Sequence, residues 1–160
     1  AWQFEKENWL RCHPEPWDAG TEDAYYQLFS GRIDAWLDQG SGSCVLQDPL
    51  HGNTVAQALR HFDHQRYLMA SFVVMPNHVH ALFRPLEPYG LAKIVQSWKG
   101  FTAREINKRR GKVGSLWQDE YWDRLIRSEA HFMKVKDYIR NNPVVAKLRQ
   151  GQYVYWESDR

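Results

Sequence analysis

The sequence predicts an α+β fold in which helices pack against a central antiparallel sheet. Two apolar runs, over residues 67–74 and 79–83, are rich in β-branched and aromatic side chains, and a Pro-Asn pair interrupts the stretch between them. This pattern is typical of two neighbouring strands joined by a tight turn. Four other stretches repeat apolar residues at helical spacing. With 160 residues, the chain is long enough to bury one substantial core.

The helical stretches cover residues 22–38, about 53–64, 91–108 and about 129–141. We expect Thr21, Asn53 and Ser128 to be N-caps of the first, second and fourth helices, because their side chains accept hydrogen bonds from first-turn amides. Pro143 is expected to end the fourth helix, since the residue before a proline avoids the helical region.

Three other segments carry no predicted helix or strand. Residues 1–16 are expected to be irregular, because Pro14 and Pro16 are incompatible with a helix interior. Residues 113–126 are interpreted as irregular or partly extended. Residues 144–160 are interpreted as a short basic stretch followed by an aromatic tail.

Charge is distributed unevenly along the chain. The formal net charge is only +2, but residues 1–83 hold 5 Lys and Arg against 10 Asp and Glu, whereas residues 84–160 hold 16 against 9. A carboxyl-terminal half with a net charge of +7 indicates binding to a polyanion such as nucleic acid. Solvated helix faces would account for the same charge.

The cysteines and the hydropathy pattern favour a cytoplasmic protein without a membrane partner. Cys12 and Cys44 lack the spacing of a disulfide framework, so we interpret them as free thiols of a reducing compartment. No apolar run approaches the ~18 residues that a membrane span requires. The first residues are acidic and polar, which predicts no signal peptide. No phosphate-binding glycine motif is present, so no nucleotide cofactor is expected.

A His-Val-His triplet begins the second predicted strand. Because alternate residues of a strand project to the same face, His78 and His80 are expected to point together to one side, away from Val79 and Ala81. Two imidazoles on a rigid strand form half of a metal site. The alternative is a pair of half-exposed histidines without a ligand, which a short motif alone does not exclude.

The fourth predicted helix carries a tyrosine at the edge of its apolar stripe. Phe132, Val135 and Ile139 form that stripe, Tyr138 lies at its edge, and Asn142 lies one turn further on the same face. A tyrosine in this position is often only packed. If the helix covers the two imidazoles, however, the phenol oxygen becomes a candidate nucleophile, and the histidines and the amide oxygen become candidate metal ligands.

Four motifs resemble those of a known family. The run MPNHVH at 75–80 and the run YIRNNP at 138–143 resemble the single-tyrosine HUH transposases, in which HUH stands for His, hydrophobic, His. The run WKGFT at 98–102 and the run WQDEYWDR at 117–124 narrow the resemblance to the REP-associated tyrosine transposases. Because the four motifs occur in the family's order, the resemblance is more specific than the histidine triplet alone.

The resemblance covers residues 17–148 and leaves 149–160 as a C-terminal tail. It implies one domain over residues 1–160 with a ferredoxin-like central antiparallel sheet and packed helices, the HUH endonuclease fold, and with the two histidines on a central strand. Family members usually begin with a strand that pairs into this sheet, and no such strand is visible before residue 22. An exposed sheet edge leaves the state open between monomer and homodimer.

The resemblance also implies the chemistry. Tyr138 would attack a phosphodiester of single-stranded DNA, form a 5′-phosphotyrosine and release a 3′-hydroxyl, while His78, His80 and Asn142 hold Mg²⁺ or Mn²⁺. Asn141 is the alternative amide if the helix frays before the proline. The expected partner is a DNA hairpin of the REP type with a short guide sequence beside it, in the nucleoid of a bacterial cytoplasm. A catalytically silent DNA-binding regulator and a hydrolase of small phosphoesters are the competing hypotheses.

Basic and aromatic residues of the carboxyl-terminal half are the candidates for DNA contact. The cluster that ends the third helix exceeds what the helix dipole requires, which favours phosphate contact. Tryptophans are expected to stack on unpaired bases. The candidates are Lys93, Trp98, Lys99, Arg104, Lys108, Arg109, Arg110, Lys112, Trp117, Trp122, Arg124, Arg127 and Arg140.

Overall fold

A computed structural model describes residues 2–30, 40, 42–119, 121 and 123–159. The chain divides into two compact units, residues 1–39 and 40–160. The expectation of one domain over the whole chain stays a prediction, and each unit is considered by itself below.

The first unit begins with helix α1 (Trp2–Cys12). The expectation of an irregular segment over residues 1–16 was therefore wrong. Pro14 and Pro16 lie after the last residue of α1, so neither removes an amide from that helix.

Helix α2 (Ala19–Tyr25) continues directly into a π-helical turn (Tyr26–Ser30). The helix starts earlier than expected, because Asp18 rather than Thr21 is the N-cap: its carboxylate accepts a hydrogen bond from the Thr21 amide at 2.7 Å. The expected continuation to residue 38 lies outside the described residues. Aromatic ring contacts join α1 to the residues that follow it within this unit, and they involve Trp9, His13, Trp17, Tyr25 and Phe29.

The second unit is built on a three-stranded antiparallel sheet in the order β2-β1-β3. The strands are β1 (Tyr67–Val74), β2 (Val79–Pro85) and β3 (Val154–Glu157). The predicted α+β class and the two predicted strands are confirmed. The expectation that the histidines lie on a central strand was wrong, because β1 takes the centre and β2 is an edge strand in the described part of the chain.

Strand β3 was not predicted. It pairs with the last four residues of β1, from Val74 opposite Val154 to Ser71 opposite Glu157. A strand of four residues leaves little alternation to detect, and its partner lies far away in the sequence. Residues 2–30 contain no strand, as expected, and β3 occupies the side of β1 opposite β2.

The helices of the second unit are α3 (Pro49–His61), α4 (Leu91–Arg110) and α5 (Glu129–Val145). Helix α4 confirms the prediction and extends it by two residues to Arg110, and Gly111 caps it in the left-handed conformation with φ 60°. Helix α3 starts at Pro49 and not after Asn53, since Asp48 accepts a hydrogen bond from the Leu50 amide at 3.0 Å. Proline fits the first turn, where no amide donor is needed.

Helix α5 starts as predicted, with the Ser128 hydroxyl accepting a hydrogen bond from the His131 amide at 3.1 Å. It does not end at Pro143 but runs on to Val145 with the proline inside. The proline removes one helical hydrogen bond, yet Asn142 keeps a carbonyl that accepts from the Ala146 amide at 3.0 Å. The last helical turn therefore remains intact around Asn142.

The sheet separates two clusters of buried side chains. Phe72 and Val74 belong to one cluster, which α3 and α4 cover with Leu59 and Ile106 among others. Val73 belongs to the other cluster, with Met75, Leu82 and Ile139 of α5. Alternate residues of β1 thus face different helices, and α5 covers the face of the sheet from which the Val73 side chain projects.

Candidate metal and nucleophile site

The two histidines of the triplet lie at the start of β2 with their rings in contact. His78 immediately precedes the strand and His80 is its second residue. Their Nε2 atoms are 3.1 Å apart, and their rings meet edge to face at 87°. The prediction that both imidazoles point to one side is confirmed by this contact.

The pairing of β1 with β2 decides which helix these imidazoles face. His80 is directly opposite Val73, and residues opposite each other in an antiparallel pair project to the same face. Val73 packs in the cluster that contains Ile139 of α5. The histidine pair therefore lies on the face that α5 covers.

Asn77 sets the tautomer of His78. Its Oδ1 atom lies 2.7 Å from Nδ1 of His78, and because an amide oxygen only accepts hydrogen bonds, Nδ1 must be the donor. In the neutral ring, Nε2 then carries the lone pair and points toward His80. A histidine held in this way by an outer partner is typical of metal ligands.

His80 is held in its neutral form. Burial of the ring lowers the pKa of His80 to about 4, because removal from water disfavours the charged imidazolium. Near neutral pH this imidazole is uncharged, which is the form that binds a metal ion.

Tyr138 lies over this pair from α5. Its ring centroid is 5.4 Å from that of His80, and the two rings are inclined by 79°. The side chain of Tyr138 is not enclosed in the interior, since 39% of the residue remains exposed. A substrate can therefore reach the phenol from solvent while one edge of the ring is fixed against the imidazole.

Asn142 lies one turn after Tyr138 and is 2% exposed. Its Oδ1 atom is fully buried and has no hydrogen-bond partner among the described residues. A buried acceptor without a partner is costly, so its retention requires an explanation. Asn141 was the alternative if the helix frayed before Pro143, but α5 continues through the proline and Asn141 is exposed.

The residues present fit a divalent cation. Two imidazoles and one unpartnered amide oxygen offer nitrogen and oxygen donors and leave positions for phosphate oxygens. Within the described ranges, no group of three His, Cys, Asp or Glu residues forms a metal site. A metal ion bound here would take its oxygen donor from Asn142.

Several of the predicted DNA contacts are engaged elsewhere in the fold. Lys99 donates to the carbonyl oxygens of Gln118 and Asp119 at 2.7 and 3.3 Å, and burial lowers its pKa. Arg109 donates to the Leu50 carbonyl at 3.3 Å, which joins α4 to α3. These two side chains hold segments of the protein together, so we leave them out of the proposed DNA surface.

The two described tryptophans of the DNA prediction are packed against the core. Trp98 donates from Nε1 to the hydroxyl of Tyr67 at 3.1 Å, and its ring meets that of Phe83 at 4.8 Å. Trp117 donates from Nε1 to the Thr102 hydroxyl at 2.8 Å. Stacking on bases stays a prediction for both tryptophans, and Trp122 lies outside the described residues.

The other predicted cations differ in exposure. Lys93, Arg104, Lys108 and Lys112 are exposed on α4 or just after it. Arg110 and Arg124 are half-buried, and Arg127 is exposed. Of the cations predicted to contact DNA, these exposed ones are accessible to a phosphate backbone.

Glu157 of β3 was missed by sequence reasoning although its carboxylate contacts two cations of α5. Its carboxylate accepts hydrogen bonds from Arg140 at 2.8 and 3.0 Å and pairs with Lys136 at 2.7 Å. Lys136 is nearly buried at 9% side-chain exposure. No local signal marks Glu157, because only the pairing of β3 with β1 brings it to α5.

The structure brings a histidine pair on the sheet to face a tyrosine on a helix, which is the arrangement that the resemblance to the single-tyrosine transposases implies. The family model described as "Transposase IS200 like" matches residues 45–142, which include both histidines, the tyrosine and the buried asparagine. The chain belongs to this family of IS200-like transposases. The resemblance to this family of transposases is therefore confirmed.

One curated relative is similar in sequence, but its description names no function. A protein of Haemophilus influenzae, described as an uncharacterized protein, is 29% identical over 111 residues, which cover 56% of each chain. The chain thus spans about half the length of this relative. No solved structure matches the chain. Among the described helices, none combines the length and the apolar character needed to cross a bilayer.

Proposed function

We propose that the protein is a metal-dependent endonuclease and strand-transferase for single-stranded DNA, which acts on REP-like hairpin repeats through a 5′-phosphotyrosine. The observation that carries this proposal is the half-exposed phenol of Tyr138, held 5.4 Å from the His80 ring on the helix that also buries the unpartnered oxygen of Asn142. Family membership supports DNA cleavage in general.

Tyr138 would supply the nucleophile. Its phenol oxygen forms a bond to the scissile phosphorus, the bond to the 3′-oxygen breaks, and that oxygen takes up a proton as the phenol loses one. A second 3′-hydroxyl reverses the step and joins strands. Because the phosphotyrosine conserves the energy of the broken bond, no nucleotide cofactor is required.

His78, His80 and Asn142 would hold the metal ion, which we propose to be Mg²⁺ or Mn²⁺. Such an ion polarises the scissile phosphate and offsets the charge that develops on it. The protein prepares these ligands in advance: Asn77 directs the proton of His78 to Nδ1, and burial keeps His80 neutral. Mn²⁺ matches nitrogen ligands better than Mg²⁺ does.

The DNA strand would be bound by the exposed cations of α4 and its carboxyl-terminal end. Lys93, Arg104, Lys108 and Lys112 can each neutralise a phosphate. A hairpin with an adjacent guide sequence, action in the nucleoid of a bacterial cytoplasm, and a monomer or homodimer remain parts of this proposal.

The test is formation of a covalent adduct. We would incubate the protein with single-stranded hairpin oligonucleotides and Mn²⁺ and record the intact mass. Tyr138→Phe should abolish the adduct and leave DNA binding largely unchanged. Tyr89→Phe is the matched control, because Tyr89 is exposed to a similar extent, 41% against 39%, and contacts Arg66 instead of the histidine pair.

Three results would contradict the proposal. An adduct formed by Tyr138→Phe would show that another residue is the nucleophile. Binding by the wild-type protein without any adduct would favour a catalytically silent regulator. Turnover of a chromogenic phosphodiester by Tyr138→Phe, again without an adduct, would indicate a hydrolase of small phosphoesters.

A further inference from the structure

A cavity of about 300 Å³ opens beside the turn that carries the histidine triplet. It lies within the second unit, between the segment before α3, the β1–β2 turn and the carboxyl-terminal end of α4. A pocket of this size is at the lower end of the range of about 300–1,000 Å³ that holds small ligands.

The cavity is connected to the candidate metal site through one residue. Asn77 lines the cavity and also accepts the hydrogen bond from Nδ1 of His78 at 2.7 Å. A ligand in the cavity would therefore touch the residue that orients a proposed metal ligand.

The wall formed by residues 107–117 is fixed by internal hydrogen bonds. Asn107 donates from Nδ2 to the Gly114 carbonyl at 2.9 Å, and its own carbonyl accepts from the Lys112 amide at 2.9 Å. Ser115 donates to the Trp117 carbonyl at 2.7 Å. These hydrogen bonds hold the segment in one conformation, although it has no regular secondary structure after the helix.

The lining combines two chemical characters. Leu46, Leu116 and Trp117 contribute apolar surface, whereas Arg110 and Lys112 contribute positive charge. Of the described residues that line the cavity, none is acidic. An apolar wall with an aromatic ring suits the face of a base, and two cations suit a phosphate.

We propose that this cavity binds one unpaired nucleotide of the DNA strand, with the base against Trp117 and a phosphate beside Arg110 and Lys112. The identity of the strand rests on the proposed function, but the ligand class rests on the lining of the cavity itself. By holding a nucleotide next to Asn77, the cavity would fix the position of the strand relative to the histidine pair.

Photocrosslinking tests this proposal independently of cleavage. We would use Tyr138→Phe protein and single-stranded hairpin oligonucleotides in which one 5-iododeoxyuridine is moved along the strand, and map the cross-linked peptides by mass spectrometry. A small set of adjacent positions should cross-link to Trp117. Adding Lys112→Ala should lower the share of cross-links at Trp117 about fivefold, as expected when one phosphate contact is lost.

Lys108→Ala is the matched control, since Lys108 is an exposed lysine at the same helix end that does not line the cavity. It should weaken total binding but leave the share at Trp117 unchanged. The proposal is overturned if no position cross-links to Trp117, or if the two lysine variants reduce its share equally. An adduct in the wild-type protein without cross-links at Trp117 overturns this inference alone, whereas cross-links at Trp117 without any adduct overturn the proposed cleavage alone.

Discussion

Arg140 of α5 donates two hydrogen bonds to the carboxylate of Glu157 in β3, at 2.8 and 3.0 Å. Lys136 reaches the same carboxylate at 2.7 Å, and the Tyr155 hydroxyl also contacts it. The two cations flank Tyr138, two residues before and two residues after it. The carboxylate of Glu157 therefore joins α5 to the sheet within the helical segment that carries Tyr138.

Glu157→Gln is expected to destabilise the protein by about 1–3 kcal/mol, because the nearly buried ammonium of Lys136 would lose its counter-charge. Urea unfolding measures the loss. Asp137→Asn is the matched control, since Asp137 also pairs with Arg140 but its side chain is 56% exposed, and a change within about 0.5 kcal/mol is expected. Equal losses in the two variants would refute a special role for Glu157.

The contribution of Glu157 should depend on pH in a defined direction. Hydrogen bonds from Lys136, Tyr155 and Arg140 lower the pKa of Glu157 to about 2 from its ordinary value of 4.5. A depressed carboxyl pKa stabilises the folded state above the unfolded pKa, and this stabilisation is lost as the pH falls through the folded pKa. The stability gap between wild type and Glu157→Gln should therefore be constant above about pH 5 and narrow below it. Urea unfolding at several pH values would detect a gap that instead widens on acidification.

The sequence predicted the parts of the fold with strong local patterns. Strands β1 and β2 are short stretches rich in β-branched and aromatic residues, and α4 is a helix of twenty residues. Strand β3 has four residues and depends on a partner distant in the sequence. The starts of α2 and α3 were misplaced because aspartates three and five residues before the predicted caps accept the hydrogen bonds of the free amides instead.

The residues of the candidate site were predicted where a sequence motif marks them and missed where only a tertiary contact does. His78, His80, Tyr138 and Asn142 were named from motifs, and the structure brings the first three together and buries the fourth. Glu157 could not be predicted, because it lies 17 residues from Arg140 and only the sheet pairing brings the two together. Tertiary contacts of this kind leave no local signal in the sequence.

The buried, unpartnered amide oxygen of Asn142 should have two effects: it lowers the stability of the metal-free protein, and it binds the metal ion. The variant Asn142→Leu tests both effects. Without metal, the variant should be as stable as wild type or up to about 1 kcal/mol more stable, since an unsatisfied acceptor is replaced by an apolar group. Addition of Mn²⁺ should raise the Tm of wild type, because the ion binds only the folded state, and should leave the variant unchanged.

Thermal unfolding with and without Mn²⁺ measures both the stability of the metal-free protein and the shift in Tm caused by the ion. Asn141→Leu, at the exposed neighbouring position, is the control and should keep the shift in Tm. A shift that persists in Asn142→Leu would remove Asn142 from the proposed ligands.

Lys108 and Lys99 should differ in the salt dependence of DNA binding. Lys108→Ala is expected to reduce the slope of log affinity against log salt by about 0.7, the value for one phosphate contact on a single strand. Lys99→Ala should leave that slope unchanged, because its ammonium is bonded to the carbonyls of Gln118 and Asp119. Fluorescence anisotropy of labelled single-stranded DNA over a series of salt concentrations distinguishes the two, and equal slopes in both variants would contradict this assignment.

Trp98→Phe tests whether this tryptophan serves the core or the DNA. The indole Nε1 donates to the hydroxyl of Tyr67, a residue only 1% exposed, and burial raises the pKa of that phenol. Phenylalanine keeps an apolar ring but removes the donor, so a loss of about 1–2 kcal/mol in unfolding free energy is expected. The affinity for single-stranded DNA, measured at a temperature where the variant is fully folded, should stay unchanged. A variant that keeps its stability but binds DNA several-fold more weakly would place Trp98 in the DNA interface, since loss of a base-stacking contact costs binding and not folding.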